Sequence, residues 1–337
     1  MRAIEFGTTG FYPAFDGAPR AKRSEEMGFD IQGFSENHSR STDCFGEMRD
    51  ALAITSRIKL ACGPVNFVTR NPGVVAAAVI PLQVLSRGRV ICNVAAGDSA
   101  VAAAGLKPQR MADMERDIGY LRAYLERQDV QFGERLTHLE WADALTFDPI
   151  PLQMVCSGPR SIALAARRAD RICLGVGCNN DRIAWALDII AEEIARHGRN
   201  REDMRIGLLA PLALTPDRAS GRAVIRTRVA ALAHMQSGKG VDLSLQPEIL
   251  RKVTSVLRDG YDYRFHHPNA PAENPNSAVC DEEFGEWMGI GGPASYLIDR
   301  MGELVEMGVD FFMTTLPMPE REPFAADVMP ALRKLRM

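Results

Sequence analysis

Eight short apolar or β-branched runs recur along the chain, and they alternate with segments of helix-like periodicity. In chain order they read AIEFG, DIQGFS, IKLACG, RVICNVA, LQMVCSG, RICLGV, RIGLLAPLAL and VDFFMTTL. Strands that alternate with helices predict a parallel sheet, and eight such units are the number that closes a TIM-type barrel. The predicted fold class is therefore α/β, a (β/α)8 barrel, with residues 1–337 forming one domain.

Two glycines mark predicted helix ends. Gly28 follows PRAKRSEEM directly before the second run, and Gly308 follows SYLIDRMGELVEM directly before the eighth. Glycine is common just after the last helical turn, because it accepts a left-handed backbone without strain. These positions predict a helix before each of those strands.

Two segments exceed what a plain barrel needs. Residues 129–150 carry mixed signals before the fifth run, and residues 216–288 form a long insertion between the seventh and eighth strands. The end of the insertion, residues 259–289, is aromatic and rich in Pro and Asn, which is more typical of an ordered loop than of a helix. Because loops after barrel strands lie over the catalytic face, we expect residues 216–288 to form a lid.

Composition argues against several classes of function. Hydrophobic residues make up 46% and charged residues 25% of the chain, and the net charge is −3, which is typical of a soluble globular protein and not of a nucleic-acid-binding one. The sequence shows neither a signal-type apolar segment near Met1 nor an apolar run long enough for a bilayer. We therefore expect a cytoplasmic protein with no membrane contact.

The seven cysteines are scattered along the chain. Cys62, Cys92, Cys156 and Cys173 lie inside apolar runs, where free thiols pack as small hydrophobic groups. Neither C-x-x-C nor H-E-x-x-H occurs. We therefore expect cysteines in the core and no metal site.

Polar segments follow the predicted strands, at the face where TIM-barrel enzymes carry their chemistry. The second run ends in SENHSRSTD, which contains Glu36, Asn37 and His38. A histidine at this place can shuttle a proton or steady a cofactor, and the alternative is an ordinary polar or structural histidine. The third run ends in Gly63 and Pro64, and a proline inside a central strand removes a hydrogen-bond donor, so we expect a bulge or break there.

The segment SGPRS after the fifth run predicts an anion site. Ser157 can cap the helix that begins there, Pro159 suits its first turn, and Gly158 lets a ligand approach the free backbone N–H groups. Arg160 can add a charge-assisted contact. A plain helix start is the alternative, but it explains the serine and the proline without the glycine and the arginine.

Four segments in order resemble the bacterial luciferase-like superfamily of flavin- and F420-dependent oxidoreductases, in the methylenetetrahydromethanopterin reductase-like branch. They are EEMGFDIQGFSENHS, SRIKLACGPVNFVTRNP, LSRGRVICNVAAGDSA and GGPASYLIDRMGELVEMGVDFFM. The resemblance implies a barrel whose cofactor, F420 or FMN, lies at the C-terminal face with its phosphate at a helix start. It implies a bulge, held by a cis peptide in related members, against which the cofactor ring leans.

The cofactor-binding residues implied by this resemblance fall into three groups. Gly63, Pro64 and Asn66 belong to the bulge region, and the wall after the fourth strand is formed by Ala96, Gly97, Asp98 and Ser99. The phosphate end is formed by Gly158, Pro159, Arg160, Leu174, Gly175 and Val176.

One position departs from the superfamily pattern. Asn37 stands where many members carry an acid before the histidine, which places a proton relay through that pair in doubt. Glu36 could replace the acid only if the strand register were displaced by one residue, which would turn its side chain to the other face. His38 and Glu36 are the predicted catalytic residues.

Three functions are compatible with these residues. AAGDSA resembles the fourth strand of the F420 group more than the Asn-x-Val-Thr pattern of two-component monooxygenases, which favours F420-dependent hydride transfer to or from a small organic substrate. The alternatives are an FMNH2- and O2-dependent monooxygenase with a flavin reductase as partner, and a non-catalytic flavin-binding barrel. We also expect a homodimer. The insertion residues expected in the substrate lid, or else in an aromatic cluster that packs the loop against the barrel, are Tyr261, Tyr263, Phe265, His266, His267 and Trp287.

Overall fold

The computed structural model describes residues 3–12, 14–238, 240–266 and 274–336. Its strands, in chain order, are β1 (Glu5–Thr8), β2 (Ile31–Phe34), β3 (Lys59–Cys62), β4 (Val90–Val94), β5 (Val130–Phe132), β6 (Arg135–Thr137), β7 (Leu152–Cys156), β8 (Arg171–Leu174), β9 (Arg205–Ala210), β10 (Leu212–Leu214), β11 (Ile290–Gly292) and β12 (Phe311–Thr314). Eight of them close a parallel barrel in the order β1-β12-β9-β8-β7-β4-β3-β2. Each of the eight predicted runs contributes one barrel strand, so the predicted fold class is confirmed.

Helices cover the outside of the barrel and build the insertion. In chain order they are α1 (Gly17–Glu26), α2 (Cys44–Ile54), α3 (Pro72–Ser86), α4 (Ser99–Ala103), α5 (Met111–Leu125), α6 (Pro159–Arg168), α7 (Asn180–Arg196), α8 (Arg218–Ile225), α9 (Ala230–Met235), α10 (Glu248–Gly260), α11 (Pro275–Ala278), α12 (Glu282–Met288), α13 (Ala294–Glu306), α14 (Met318–Pro323) and α15 (Met329–Arg333). Gly28 and Gly308 follow α1 and α13 with φ angles of +89° and +110°. Both therefore end their helices as the sequence predicted.

The interior of the barrel is apolar in its middle layer. The buried cluster there consists of Ile31, Ala61, Ile91, Cys173, Phe311 and Met313. They lie on five barrel strands, and the two on β12, Phe311 and Met313, are two positions apart because alternate side chains of a barrel strand face inward. The larger core lies between the strands and the surrounding helices.

A charged network closes the barrel at the N-terminal ends of its strands. Glu5 is 6% exposed and forms ion pairs with Lys59 (2.6 Å), Arg171 (2.8 Å) and Arg205 (3.3 Å). Burial by itself would raise the pKa of Glu5, but the charges of Arg171, Lys59 and Arg205 outweigh it and lower the pKa to about 2. The four residues begin β1, β3, β8 and β9, so the network ties strands together across the barrel.

Residues 216–288 lie between β9 and β12 in the chain and contain α8 to α12. The seventh predicted run splits at Pro211: β9 belongs to the barrel, whereas β10 pairs in parallel with β11. Ile225, Leu232, Leu250 and Phe284 belong to a buried apolar cluster distinct from the barrel core. The insertion therefore has a core of its own.

One sequence expectation changes at this level. The expected loop at residues 259–289 is wrong for its last part, because Glu282–Met288 form α12. Asp281 caps this helix by accepting a hydrogen bond from the Phe284 N–H (2.7 Å). An aspartate at this place is a signal for a helix start, but the aromatic composition of the segment indicated a loop. Residues 129–150, where the sequence signals are mixed, include the hairpin formed by β5 and β6. His267 lies outside the described residues.

Candidate active site

The C-terminal ends of the barrel strands face one end of the barrel, referred to below as the mouth. At this end Gly63 and Pro64 are joined by a cis peptide bond, in agreement with the resemblance. The pairing of β3 with β4 resumes beyond them, where the Val65 N–H donates to the Asn93 carbonyl (2.9 Å) and the Val65 carbonyl accepts from the Ala95 N–H (2.9 Å). Gly63 has a φ of +67°, and a Cβ built there would lie 1.9 Å from the nitrogen of Val65. The expected bulge is present, and glycine is the residue that fits it.

The loop after β4 presents bare backbone beside this bulge. Gly97 has a φ of +96°, and a Cβ built there would lie 2.3 Å from Val101 and 3.5 Å from the Cβ of Asn66. Asn66 is buried, and its Oδ1 accepts hydrogen bonds from the N–H and the hydroxyl of Thr69 (3.0 and 3.1 Å). The half-buried residues of the loop are Ala96, Gly97, Asp98 and Ser99.

Asp98 is the centre of a polar cluster between this loop and the insertion. The Tyr263 hydroxyl donates to Asp98 Oδ1 (2.7 Å), and His234 Nε2 lies 2.9 Å from that hydroxyl oxygen and 3.5 Å from Oδ1. The hydroxyl hydrogen of Tyr263 is directed to Asp98, so the Tyr263 oxygen is the acceptor in its contact with His234. The imidazole hydrogen of that contact is therefore on Nε2. The His234 ring stacks on Tyr261 with centroids 3.8 Å apart, and the Tyr261 hydroxyl lies 2.7 Å from His266 Nδ1.

The electrostatics of this cluster favour a carboxylate beside neutral phenols. Burial would raise the pKa of Asp98, but hydrogen bonds from His234 and Tyr263, together with the charges of His266 and His234, lower it. Burial and the negative charge of Asp98 raise the pKa of Tyr263, and the same causes raise the pKa of Tyr261. At neutral pH the mouth therefore holds the negative charge of Asp98 next to hydroxyl and imidazole protons that can exchange.

The loop after β2 joins this region through Asn37. Asn37 is buried, and its Nδ2 donates to the Ser99 hydroxyl (3.0 Å). Its Oδ1 accepts from the N–H and the hydroxyl of Ser39 (3.0 and 2.8 Å). Arg40, on the same loop, donates to the carbonyl of Tyr263. The loops after β2 and β4 and the insertion are therefore tied together at the mouth.

Among the described residues, neither predicted catalytic residue forms a hydrogen bond with this cluster. His38 is exposed, and within the described part of the chain it makes no hydrogen bond or ion pair. Glu36 forms an ion pair with Arg70, which also pairs with Asp43. No hydrogen bond joins Glu36 to His38 in the described ranges, so their catalytic roles stay predictions.

The start of α6 differs in one detail from the sequence expectation. Gly158 is the N-cap residue and Pro159 the first helical residue, whereas Ser157 was expected to cap. The Ser157 hydroxyl instead donates to the carbonyl of Met235 in α9 (3.2 Å), because the insertion covers this loop. The first-turn N–H groups of a helix have no acceptor within it, and a Cβ on Gly158 would meet nothing nearer than Ser161 Oγ at 3.9 Å. The backbone is therefore open to an anion.

Arg160 follows on the same turn, where it is exposed and donates to the carbonyl of Gly240 in the insertion (2.9 Å). The neighbouring loop after β8 is covered: Leu174, Gly175 and Val176 are buried. A Cβ on Gly175 would lie 3.3 Å from two side chains of α9. The implied phosphate residues thus meet where α9 covers the loops after β7 and β8.

The mouth has the features that a flavin-type cofactor requires. Asn93 lies two residues beyond Ile91 and shares its inward face, and its buried Oδ1 has no hydrogen-bond partner in the described part of the protein. A ring with polar N–H groups would satisfy that oxygen. The bare backbone at Gly97 leaves room for a flat ring, and the start of α6 suits a phosphate. The residues present fit F420 or FMN.

Sequence reasoning did not single out Asn93, His234 or Arg40. Asn93 carried a usable signal, since it is a polar residue at an inward position of the apolar run RVICNVA. His234, in ALAHMQ, has no motif around it, because its partner Asp98 is distant in the chain. Arg40 did not stand out in the sequence, because its loop is polar throughout.

The mouth of this closed parallel barrel combines glycine backbone without side chains, a hydrogen-bonded carboxylate and a helix start that is open to an anion. Together these features define an enzyme class that holds a flavin-type cofactor over the barrel. The luciferase-like monooxygenase family matches residues 16–310. The chain belongs to this family of flavin- and F420-dependent oxidoreductases.

Individual relatives agree with that assignment. The chain is 24% identical to a 5,10-methylenetetrahydromethanopterin reductase of Methanolobus tindarius, over 92% of this chain and 93% of the relative. The coenzyme F420-dependent tetrahydromethanopterin reductase of Methanopyrus kandleri matches with a TM-score of 0.75 and 18% identity, covering 98% of this chain and 100% of that chain. The oxygenating constituent of 3,6-diketocamphane monooxygenase of Pseudomonas putida, in complex with FMN, matches with a TM-score of 0.66 and 15% identity, covering 97% and 99%. These two structures share the fold.

In the described ranges, no helix combines the length and the apolar character needed to cross a bilayer.

Proposed function

We propose that the protein catalyses F420-dependent hydride transfer to or from a small organic substrate. The observation that carries the proposal is the loop after β4, where the bare backbone of Gly97 lies beside the bulge and leads into the half-buried carboxylate of Asp98. The F420-dependent reductase among the structural neighbours supports the choice of cofactor. When bound, F420 supplies two-electron hydride chemistry that does not require oxygen.

The residues of the mouth bind and orient the cofactor. The ring would be held by Gly63, Pro64 and Asn66 on the bulge side and by Ala96, Gly97, Asp98 and Ser99 on the other. The phosphate end would be held by Gly158, Pro159 and Arg160, next to Leu174, Gly175 and Val176. The insertion, residues 216–288, acts as the lid, since it contacts the loops after β2, β4 and β7 through Tyr263, Met235 and Gly240.

We assign the proton that accompanies hydride transfer to Asp98, Tyr263 and His234. A hydride that leaves or joins a carbon bonded to oxygen or nitrogen changes the proton affinity of that heteroatom, so an exchangeable proton must be near. Tyr263 O–H and His234 Nε2–H are such protons, and Asp98 holds both in place. His38 and Glu36 are the competing assignment, and variants described in the Discussion separate the two.

Cofactor binding tests the proposal directly. Purified protein freed of ligand is titrated with F420 and with FMN, and fluorescence reports the affinity of each. We expect F420 to bind more tightly, and we expect a panel of alcohols, aldehydes and imines to change the F420 absorbance in the absence of oxygen. Failure of F420 to bind would contradict the proposal.

The FMNH2- and O2-dependent monooxygenase is the second candidate. It is favoured by the FMN complex among the structural neighbours, and it would require a flavin reductase as partner. Product formation from FMNH2 that stops when oxygen is removed would establish it. Tight binding of either cofactor without turnover of any substrate would instead indicate a flavin-binding barrel.

We further propose that the protein is a cytoplasmic homodimer. α3 exposes Val74 and Leu85 (55% and 61%), and exposed apolar side chains on one helix suit a contact with a second copy. The seven cysteines are free and buried, which fits a reducing compartment. Light scattering should give twice the monomer mass, and Leu85→Glu should reduce it to the monomer.

A further inference from the structure

The residues assigned to the cofactor occupy one half of the mouth. They follow β3, β4, β7 and β8, which are consecutive strands of the closed barrel. The other four barrel strands, β2, β1, β12 and β9, are consecutive as well, and their C-terminal ends are referred to below as the second half of the mouth. A substrate has to lie beside the cofactor ring, so the inward-facing side chains of the second half are available to contact it.

Thr9, directly after β1, faces the inside of the barrel. A Cβ built on Gly33 would lie 2.7 Å from Thr9 Oγ1 and 2.9 Å from its Cβ. Gly33 is two residues beyond Ile31, a member of the interior cluster, so it shares the inward face of β2. The bare backbone of Gly33 therefore makes room for the side chain of Thr9 at the mouth.

Thr315, directly after β12, is the neighbour of Thr9. The Thr9 N–H donates to the Thr314 carbonyl (2.9 Å), which continues the pairing of β1 with β12. Thr315 lies two residues beyond Met313 of the interior cluster and so shares its inward face. Thr9 and Thr315 are half-buried, and in the described part of the chain neither hydroxyl makes a hydrogen bond. These two hydroxyls, referred to as the hydroxyl pair, are open to a ligand.

The inward positions of the second half carry no charge. Leu209, near the end of β9, is half-buried and packs against the interior cluster, so it adds an apolar surface to Thr9, Thr315 and Gly33. An ion would lose hydration there without gaining an opposite charge. A threonine hydroxyl both donates and accepts hydrogen bonds, so the pair suits a neutral hydroxyl or carbonyl group.

We propose that Thr9 and Thr315 bind a neutral oxygen function of the substrate, away from the carbon that exchanges the hydride. The substrate class is a small uncharged compound with two oxygen functions, such as a diol or a hydroxyketone. One oxygen would meet the proton-bearing groups around Asp98, on the β4 side, and the other would meet the hydroxyl pair on the opposite side. The inference rests on the proposed function and names its substrate class.

Four secondary alcohols on a three-carbon skeleton test this class: propan-2-ol, propane-1,2-diol, 1-aminopropan-2-ol and lactate. They differ at the carbon next to the reacting one, which is a methyl group or carries a hydroxyl, an ammonium or a carboxylate. In each, the central carbon would give its hydride to F420 and its hydroxyl proton to the mouth, leaving a ketone. We expect propane-1,2-diol to have the highest kcat/KM.

Variants of the hydroxyl pair assign the preference to its residues. Thr9→Val and Thr315→Val keep the shape of the side chain and remove the hydroxyl. Each should raise KM for propane-1,2-diol about fivefold, as for one lost neutral hydrogen bond, and leave kcat and the KM for propan-2-ol unchanged. Thr9→Ser retains a hydroxyl and should keep the wild-type values.

Thr8→Val is the matched control. Thr8 directly precedes Thr9 and faces the opposite way, and its hydroxyl is buried with no hydrogen-bond partner in the described ranges. Its replacement should change neither KM value. Because a buried unpaired hydroxyl is removed, the melting temperature should equal or exceed that of the wild type.

Saturation-transfer NMR measures binding of propane-1,2-diol without turnover. The protein is loaded with F420, or with FMN if only FMN binds, or used alone if neither binds. We expect a signal in the wild type that is lost in Thr9→Val and kept in Thr8→Val. If F420 does not bind, the proposed function fails, whereas this pattern of signals would leave the hydroxyl pair standing as a binding site.

Several outcomes would overturn the inference. They are an equal rise of KM for propan-2-ol and propane-1,2-diol in Thr9→Val, no change in either, a wild type that prefers propan-2-ol, or no diol signal by NMR. A preference for lactate would assign recognition to a cation such as Arg40, which lies 6.0 Å from the centre of the Phe11 ring. Should Thr9→Val fail to fold, the same comparisons with Thr315→Val decide.

Discussion

Replacing Glu5 with glutamine would test the charged network that closes the N-terminal end of the barrel. The substitution keeps the volume of the side chain and removes the carboxylate that Lys59, Arg171 and Arg205 share. Lys59 can turn to solvent, since its side chain is 42% exposed. Arg171 cannot, because its side chain is 6% exposed, so it would keep Gln153 (3.0 Å) as its neutral partner. We therefore expect Glu5→Gln to destabilise the fold.

The magnitude follows from the pKa of Glu5. Folding lowers this pKa from 4.5 to about 2, which corresponds to about 3 kcal/mol of stability at neutral pH. Removing one partner of a buried ion pair costs about 3 to 5 kcal/mol in other proteins. We expect Glu5→Gln to lose about 3 kcal/mol of the free energy of unfolding.

The pH dependence has a definite sign. Because folding lowers the pKa of Glu5, its contribution is fully present above pH 4.5 and is lost as the pH falls from there toward about 2. The wild type should therefore lose up to about 1.4 kcal/mol per pH unit from this group in that range. The difference in the free energy of unfolding between wild type and Glu5→Gln should decrease over the same pH range.

Urea unfolding followed by circular dichroism, at neutral pH and at about pH 3, measures both effects. Glu115→Gln is the control, because Glu115 forms partly exposed ion pairs with Arg167 (3.0 Å) and Arg168 (3.2 Å), and such pairs contribute at most about 1 kcal/mol. A loss for Glu5→Gln as small as that of the control would refute the reasoning. So would a difference from wild type that does not change with pH.

The remaining predictions concern the mouth. In Gly158→Val, the added Cβ would meet no protein atom closer than van der Waals contact, so the fold should persist. The affinity for F420 or FMN should weaken by more than about tenfold, and unchanged titrations would remove this segment from the site. Tyr263→Phe should lower single-turnover rates by roughly 100-fold, as for a lost general acid or base, with little change in cofactor affinity. If Tyr263 transfers the proton, His38→Ala should have only a small effect on the single-turnover rate. A larger loss of rate in His38→Ala than in Tyr263→Phe would assign catalysis to His38. Asn37→Asp should be tolerated, because the Ser99 hydroxyl can donate to a carboxylate and Ser39 already donates to Oδ1; a large fall in melting temperature would show that the amide is required.

The sequence by itself determined the barrel and the ends of many of its elements. Alternation of strand-like and helix-like periodicity is a property of neighbouring residues, and so are the glycines that end α1 and α13 and the Gly63–Pro64 bulge. Such features depend on the backbone preferences of a few consecutive residues, which a sequence displays directly. The loop after β4 and the start of α6 could be located in the same way.

The tertiary structure decided which side chains meet at the mouth. Tyr263 lies 165 residues from Asp98 in the chain, and Arg182 meets Gln236 across 54 residues, so local patterns contain no information on either contact. Both contacts depend on how the insertion docks on the loops after β4, β7 and β8. The same docking turned Ser157 from the expected helix cap to the Met235 carbonyl, while His38 was left exposed. Docking is set by the burial of apolar surface over many residues at once, which is a property of the folded chain and not of any short segment.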